Sequence, residues 1–255
     1  MQATAEVARL AGDNAMRFFG SALEVKSKKD GSPVTEADRS SETLAREWIA
    51  SHFPGDGIVG EEFGSSRPEA ARQWIIDPID GTKSFVRGVP LWGTLVAVMA
   101  GESVLAGAAF FPAIGEIIVA AEGEGCWWNS KRCSVSTVAD LAAATVLTSE
   151  VRFDSKDVRH RDGWQSLAAK AAVSRTWGDC YGYLLVATGR AEVMVDPVLS
   201  VWDIAPFFSI IPEAGGVITD FAGNVSAFAG NAIATNSALA EAARATLGVN
   251  QRSGR

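Results

Sequence analysis

Residues 74–85 read Trp-Ile-Ile-Asp-Pro-Ile-Asp-Gly-Thr-Lys-Ser-Phe. Three apolar residues of β type run into Asp77, and Pro78 fixes the chain direction behind it. Asp80 follows, and Gly81-Thr82 open a helix. Two carboxylates three residues apart on a tight strand-to-loop turn can face one small volume. A hard divalent cation such as Mg²⁺ needs oxygens arranged in that way. A Gly-Thr step at a helix start offers backbone N–H groups that suit a phosphate. An Asp-rich helix cap would need only one of these acids. Metal-assisted phosphate chemistry is therefore the first expectation.

The chain around this stretch is an ordinary soluble globular one. It has 255 residues, 47% hydrophobic and 21% charged, enough for one large domain or two small ones. A net charge of -7 and no Lys/Arg block argue against a nucleic-acid partner. Residues 1–20 are broken by Glu6, Arg9, Asp13 and Arg17 at helical spacing, unlike a signal peptide. No apolar run approaches the length of a membrane span. Cys126, Cys133 and Cys180 are odd in number and not spaced as a disulfide framework, which points to a reducing, cytoplasmic setting.

Periodicity predicts amphipathic helices over 3–20 and 36–52, joined by a polar loop containing Lys28 and Lys29. Strands are expected at 57–60, 74–76, 91–99, 104–111 and 116–121. Beyond Asp140 the pattern alternates. Strands are expected at 144–148, 173–176, 192–195, 216–219 and 232–235. Helices are expected at 161–171, 181–188 and 204–211, with Pro206 and Pro212 interrupting the last, and Ser237 is expected to cap a final helix. A boundary near 140 thus divides an α+β half (1–140) from an α/β half (141–255). The polar tail from Asn250 is expected to fray.

Three further acidic clusters qualify as partners for Asp77 and Asp80. Gly60-Glu61-Glu62 follows a short strand. Val201-Trp202-Asp203 precedes a helix that Asp203 would cap. Thr35 and Asp38 make a capping pattern at the start of the second helix.

Taken together, Gly60-Glu61-Glu62, the Asp77–Phe85 run, Trp202-Asp203 and Glu213-Ala-Gly-Gly216 resemble the inositol monophosphatase superfamily of Mg²⁺-dependent phosphomonoesterases. The resemblance runs from Val34 to Asn236. It implies a layered αβαβα sandwich, an α+β / α/β fold like that of inositol monophosphatase and fructose-1,6-bisphosphatase, and a homodimer. It also implies site roles. Glu61, Asp77 and the carbonyl of Ile79 would hold one Mg²⁺, and Asp77, Asp80 and Asp203 a second. Glu61 would also reach a third, so that two to three ions bind per site. Thr82, oriented by Asp38, would position the attacking water, and Gly81 and Thr82 would present N–H groups to the phosphate. Paired metal ions polarise phosphoryl oxygens, activate a water and stabilise the leaving alkoxide, so no covalent nucleophile is needed.

Fold and metals do not choose the ester. Trp177-Gly-Asp179-Cys-Tyr181, Gly81-Thr-Lys-Ser-Phe-Val-Arg-Gly-Val-Pro90 and Pro212 look like the histidinol-phosphate phosphatase branch. L-Histidinol phosphate carries an ammonium and an imidazole, so its pocket should hold carboxylates. Asp179 and Asp196 are the candidates, with Glu192 or Glu102 behind them, and Trp177 and Tyr181 could stack on the ring. Asp179 could instead only cap the helix at Cys180, and Asp196 only begin a turn at Pro197. Arg190 is open to a role on the substrate or a partner subunit, and Lys28 or Lys29 to one over the active site. The alternatives are an inositol-1-phosphate or broad sugar phosphatase, and a non-catalytic regulatory protein binding the transcription machinery.

Overall fold

The computed structural model describes residues 1–21, 25–27, 33–150 and 158–248. Lys28, Lys29 and the tail from Asn250 lie outside the described residues. Helix α1 (Gln2–Met16) is followed by a short ribbon, β1 (Lys26–Ser27) and β2 (Pro33–Val34), and by α2 (Glu36–His52). Then come β3 (Gly57–Gly60), β4 (Gly64–Ser66), β5 (Gln73–Asp80), α3 (Thr82–Phe85), β6 (Gly93–Ala100), β7 (Ser103–Phe111), β8 (Glu116–Ala121), β9 (Gly125–Trp128) and β10 (Lys131–Arg132). Eight of these strands form one sheet in the order β10-β9-β8-β7-β6-β5-β3-β4, antiparallel except where β3 meets β5.

The rest of the chain supplies β11 (Thr145–Thr148), α4 (Val158–Lys170), β12 (Val173–Arg175), α5 (Cys180–Ala187), β13 (Val193–Asp196), α6 (Val201–Ile204) and α7 (Phe207–Glu213). It ends with β14 (Val217–Thr219), β15 (Ala232–Thr235) and α8 (Ala240–Leu247). Its five strands pair in the order β12-β11-β13-β15-β14, parallel around β11 and antiparallel at β15.

Alternation along the strands explains the layers. Trp74, Ile76, Val96, Ala108 and Phe110 share a core with Val7, Ala11, Ala45 and Ile49 of α1 and α2. Their neighbours Ile75, Leu95, Ala97, Ala109 and Phe111 face the opposite way, against α5 and α7. The smaller sheet repeats the device. Leu147, Met194 and Ala234 face the central helices, and Val146, Val193 and Ile233 face α4 and α8. The order is helices, sheet, helices, sheet, helices, the expected αβαβα sandwich.

Several boundaries differ from the sequence expectation. Helix α1 stops at Met16 rather than 20. The expected helix 204–211 is two short helices. Pro206, which has no N–H to give, starts the second of them, and Pro212 sits in its last turn. Ser237 does not cap α8. Its hydroxyl donates to the Gly215 carbonyl, and Asn236 Oδ1 accepts from the Leu239 N–H instead.

One buried acid in α2 shapes the entry to the site. Glu42 is fully buried and accepts from Arg46 Nε at 2.6 Å, from the Glu62 N–H at 2.7 Å and from the Phe63 N–H at 3.3 Å. It therefore fixes the turn that carries Glu61. Glu42→Ala takes the acceptor from the Arg46 Nε–H and from two amides, leaving Arg46 only its bond to the Gly64 carbonyl, and is expected to cost about 3 kcal/mol in urea unfolding. A change below about 0.5 kcal/mol would contradict this reading of Glu42.

Candidate active site

Strand β5 does not end at Ile76 as the apolar run suggests; it continues to Asp80. Asp77 pairs with Leu95 and Asp80 with Gly93, so three steps on β5 oppose two on β6. The extra residue is a bulge at Pro78-Ile79, one of the few places in a sheet where proline fits. The bulge also has a geometric consequence. Residues three apart on a regular strand face opposite sides, and the inserted residue turns Asp80 back to the side of Asp77. Asp77 points, like Ile75, toward the central helices. The Thr94 hydroxyl ties the bulge down by donating to the Pro78 carbonyl at 2.8 Å.

Asp203 arrives from α6 in that central layer. It is not the N-cap expected from sequence; it stands inside the helix and accepts from the Ser200 N–H at 2.7 Å. Asp77, Asp80 and Asp203 each offer a carboxylate oxygen within 4.8 Å of the others. Glu61, at the end of β3, donates its N–H to the Ile76 carbonyl at 3.2 Å, which fixes it beside this group.

The crowding of acids is costly in the absence of a cation. Burial first, then the charges of Glu61, Asp80 and Asp203, push Asp77 well above the usual carboxylate range. Burial, then Asp179 and Asp203, does the same to Asp80, although the Cys180 N–H donating at 2.6 Å opposes it. Asp203 is pushed up to about 6, mainly by burial. A partly buried, all-oxygen, mutually repelling set of this kind fits Mg²⁺.

The sign of the linked pH effect follows. A group whose pKa is raised on folding adds stability below its unfolded value and loses it as pH rises through the folded value. Metal-free protein is therefore expected to lose stability from about pH 4 to about 6 as Asp203 ionises, and further as the pH rises through the raised values of Asp77 and Asp80. Mg²⁺ at about 100 times its Kd should raise the melting temperature by roughly 5–10 °C at pH 8 and by less at pH 5. Thermal melts at the two pH values check this, and an Mg²⁺ shift absent at pH 8 would contradict it.

The pair expected to position water, Asp38 and Thr82, is less tightly joined. Asp38 is fully buried and closes the capping box of α2 by accepting from the Thr35 N–H and hydroxyl at 2.8 and 2.7 Å. Burial raises its pKa, and the Thr35 bonds oppose that. The Thr82 hydroxyl lies 3.5 Å from Asp38 Oδ1 and 3.0 Å from the Ile79 carbonyl. Gly81 precedes α3 with φ 82°, and no side chain caps that helix. A Cβ at Gly81 would stand 2.9 Å from Asp179 Oδ2 and 3.2 Å from the Leu91 carbonyl, so only glycine lets the chain turn there.

Asp179 occupies the N-cap position of α5, yet its side chain makes no cap hydrogen bond. Its backbone, at φ 48° and ψ -151°, is in a region that L-residues avoid. The carboxylate turns toward Gly81, and the Ser84 hydroxyl lies 3.5 Å from it. Burial raises its pKa, against the pull of Lys83 and Ser84.

Other expected site residues fall elsewhere. Asp196 is fully buried, with the Ser149 N–H on Oδ1 at 3.0 Å and the Tyr183 hydroxyl on Oδ2 at 2.7 Å. Arg190 is committed to Glu116 and lies over Trp128 and Tyr181. Tyr181 packs edge-on against Phe111, and Trp177 is exposed. Glu192 is a buried acceptor for the Thr145 N–H, and Glu102 lines a separate cavity beside α7. The cavity next to Asp179 is bounded instead by Ser149 and Glu150. Sequence reasoning passed over this pair, although polar residues just past a parallel strand are where such sheets bind ligands. Cys126 and Cys133, not spaced as a disulfide framework in the sequence, face each other across the β9–β10 turn as free thiols with Sγ atoms 3.4 Å apart.

The model of the Inositol monophosphatase family matches residues 1–252. The histidinol-phosphatase of Chlorobaculum parvum is 41% identical over 254 residues, covering 99% of this chain and 98% of that one. The histidinol-phosphatase of Mycobacterium tuberculosis is 38% identical over 229 residues, 88% of each. Among solved structures, the extragenic suppressor protein suhB from Bartonella henselae superposes with a TM-score of 0.91 at 26% identity, over 100% of this chain and 99% of that one.

Proposed function

Because the chain belongs to the inositol monophosphatase family, we propose that it is a Mg²⁺-dependent phosphomonoesterase hydrolysing L-histidinol phosphate to L-histidinol and phosphate. The observation that carries this reading is Asp179: a strained, half-buried carboxylate with no capping hydrogen bond, set beside the phosphate-side glycine. Strain of that kind persists where a site requires it.

Glu61, Asp77, the Ile79 carbonyl, Asp80 and Asp203 would hold two to three Mg²⁺. Bound there, the cations supply Lewis-acid polarisation of the phosphoryl group and a water of lowered pKa. The chain's own groups do the rest. Thr82 accepts from the attacking water, held in place by the Ile79 carbonyl and Asp38, and Asp38 is the base toward which the proton moves. The N–H groups of Gly81 and Thr82 bind the phosphate. Asp179 pairs with a cationic group of the leaving alcohol, which orients the P–O bond that breaks. The N-terminal half (1–140) supplies Asp38, Glu61, Asp77, Asp80 and Thr82, and the other half supplies Asp179 and Asp203. Asp196, Arg190 and Asp203 belong to the wider substrate-binding proposal, the first two through the residues they hold. A homodimer working in a reducing cytoplasm completes the reading. No helix among the described residues is long and apolar enough to cross a membrane.

A neutral polyol ester such as myo-inositol 1-phosphate is the second reading. It is favoured by Lys83, whose charge partly offsets Asp179. ³¹P and ¹H NMR of an incubation with Mg²⁺ separates the two. Conversion of L-histidinol phosphate to L-histidinol and phosphate is expected. Inert L-histidinol phosphate alongside hydrolysed myo-inositol 1-phosphate would transfer the assignment to the second reading.

A further inference from the structure

The edge of the larger sheet carries a pair of thiols that the phosphatase chemistry does not use. Strand β10 is outermost, and it pairs with β9 as Lys131 against Trp128 and Arg132 against Trp127. The next step of the same ladder sets Cys133 opposite Cys126, and the Cys133 N–H donates to the Cys126 carbonyl at 3.1 Å. Directly opposed, hydrogen-bonded residues of an antiparallel pair have Cα atoms about 5.5 Å apart, inside the range of about 4.4–6.8 Å that a disulfide spans. Both side chains pack against the same core, and their Sγ atoms already stand 3.4 Å apart. Closing to a bond of about 2.05 Å needs side-chain rotation and no movement of the strands.

The turn fixes this register. Asn129 and Ser130, at φ 45° and 65°, make the two-residue loop of the hairpin. Asn129 is tied to β8: its N–H donates to the Ile117 carbonyl at 3.0 Å, and its Oδ1 accepts from the Ile117 N–H at 2.9 Å. Arg132 lies over Trp127 and donates to the Glu124 carbonyl at 3.0 Å. The two thiols are thus held opposite each other, but they are not equivalent. Cys126 is buried and Cys133 half-buried. Their hydrogen bond, then burial, pushes the Cys126 thiol up. The same bond holds Cys133 below the usual thiol range, with burial opposing and the Arg190 charge helping. Cys133 is therefore the thiol that ionises and the one a small oxidant reaches.

We propose that Cys126 and Cys133 are a reversible modification site that closes to an intramolecular disulfide when the protein meets a peroxide. The Cys133 thiolate attacks one peroxide oxygen, the O–O bond breaks and hydroxide leaves, so that Cys133 becomes a sulfenic acid. The Cys126 sulfur then attacks Cys133 Sγ, and its proton departs with the sulfenic hydroxyl as water. The hydroxide of the first step takes up the proton that Cys133 lost. In total two thiols and one hydrogen peroxide give one disulfide and two waters. A small dithiol reverses the bond by exchange and is itself oxidised to a disulfide. The product staples the edge strand and keeps Cys133 from irreversible oxidation. The chemistry is independent of which ester the protein cleaves.

The test exposes the full chain, with Mg²⁺, to hydrogen peroxide. Thiols are then counted after denaturation, and cross-links are located by peptide mass mapping. Wild type is expected to fall from three free thiols to one, with Cys126 joined to Cys133 and Cys180 still reduced, and to recover all three in dithiothreitol. Cys126→Ser is expected to stop at a sulfenic acid that dimedone traps on Cys133. Cys133→Ser is expected to keep both of its thiols at the same peroxide dose. Oxidised wild type should melt at least about 2 °C above reduced wild type. Three thiols retained in wild type, cross-links between chains in place of the internal one, or oxidation of Cys180 as fast as Cys133 would overturn the proposal. So would a lower melting temperature with the cross-link formed, which would mean that the strands must deform to make it. Dimedone on Cys126 of Cys133→Ser, as fast as on Cys133 of Cys126→Ser, would overturn the order of attack.

Discussion

Asp80→Asn is expected to lower kcat for phosphate release by at least about a thousandfold, roughly 4 kcal/mol of transition-state stabilisation, in a protein that still folds. The folding half of that expectation comes from the local geometry. Asp80 Oδ2 accepts the Cys180 N–H, a bond that an amide oxygen can keep. The substitution also relieves repulsion among Asp77, Asp80 and Asp203, so the metal-free variant should melt no lower than wild type. The catalytic half follows from the cluster itself. Removing one charge from three oxygens held within 4.8 Å takes away the reason a hard cation would bind there. Parallel kcat measurements and thermal melts with and without Mg²⁺ test both halves. Activity within about tenfold of wild type would remove the metal-cluster account. A purely regulatory binding role would be untouched by this variant, so the same protein separates an enzyme from a binding protein.

Asp179→Asn carries the second large effect. The side chain is close in size to the original, and asparagine tolerates positive φ as well as aspartate does. The backbone at φ 48° should therefore survive, and no cap bond is there to lose. What disappears is a charge in a half-buried setting, where an ion pair with substrate is worth more than at a fully exposed surface. The preference for L-histidinol phosphate over myo-inositol 1-phosphate is expected to fall about 100-fold in kcat/KM, or 2.7 kcal/mol. Measured kcat/KM for both esters in both proteins checks it. A preference unchanged by the substitution would leave Asp179 with no role in choosing the ester.

The layers of the fold were legible because strand alternation is a short-range signal. Trp74 and Ile76 turn one way and Ile75 and Asp77 the other, and the helices of either side follow. The bulge that turns Asp80 back was not legible, since nothing local says that β5 continues past Pro78 with one extra residue. Spacing found the position of Asp196 but not its burial. The strand places it beneath Ser149, where that residue, past the end of a distant strand, uses one of its oxygens and Tyr183 of α5 the other. Arg190 was ambiguous for the same reason, its partner Glu116 being 74 residues away in the chain.

The most direct test is a competition assay with equimolar L-histidinol phosphate and myo-inositol 1-phosphate, Mg²⁺ in excess, in a single reaction followed by ³¹P NMR. The relative rates of disappearance give the ratio of kcat/KM without separate calibration. L-Histidinol phosphate is expected to be consumed first, with a ratio of at least about 100. Equal consumption, or prior loss of the inositol ester, would contradict the assignment of this carboxylate-lined pocket to a cationic alcohol.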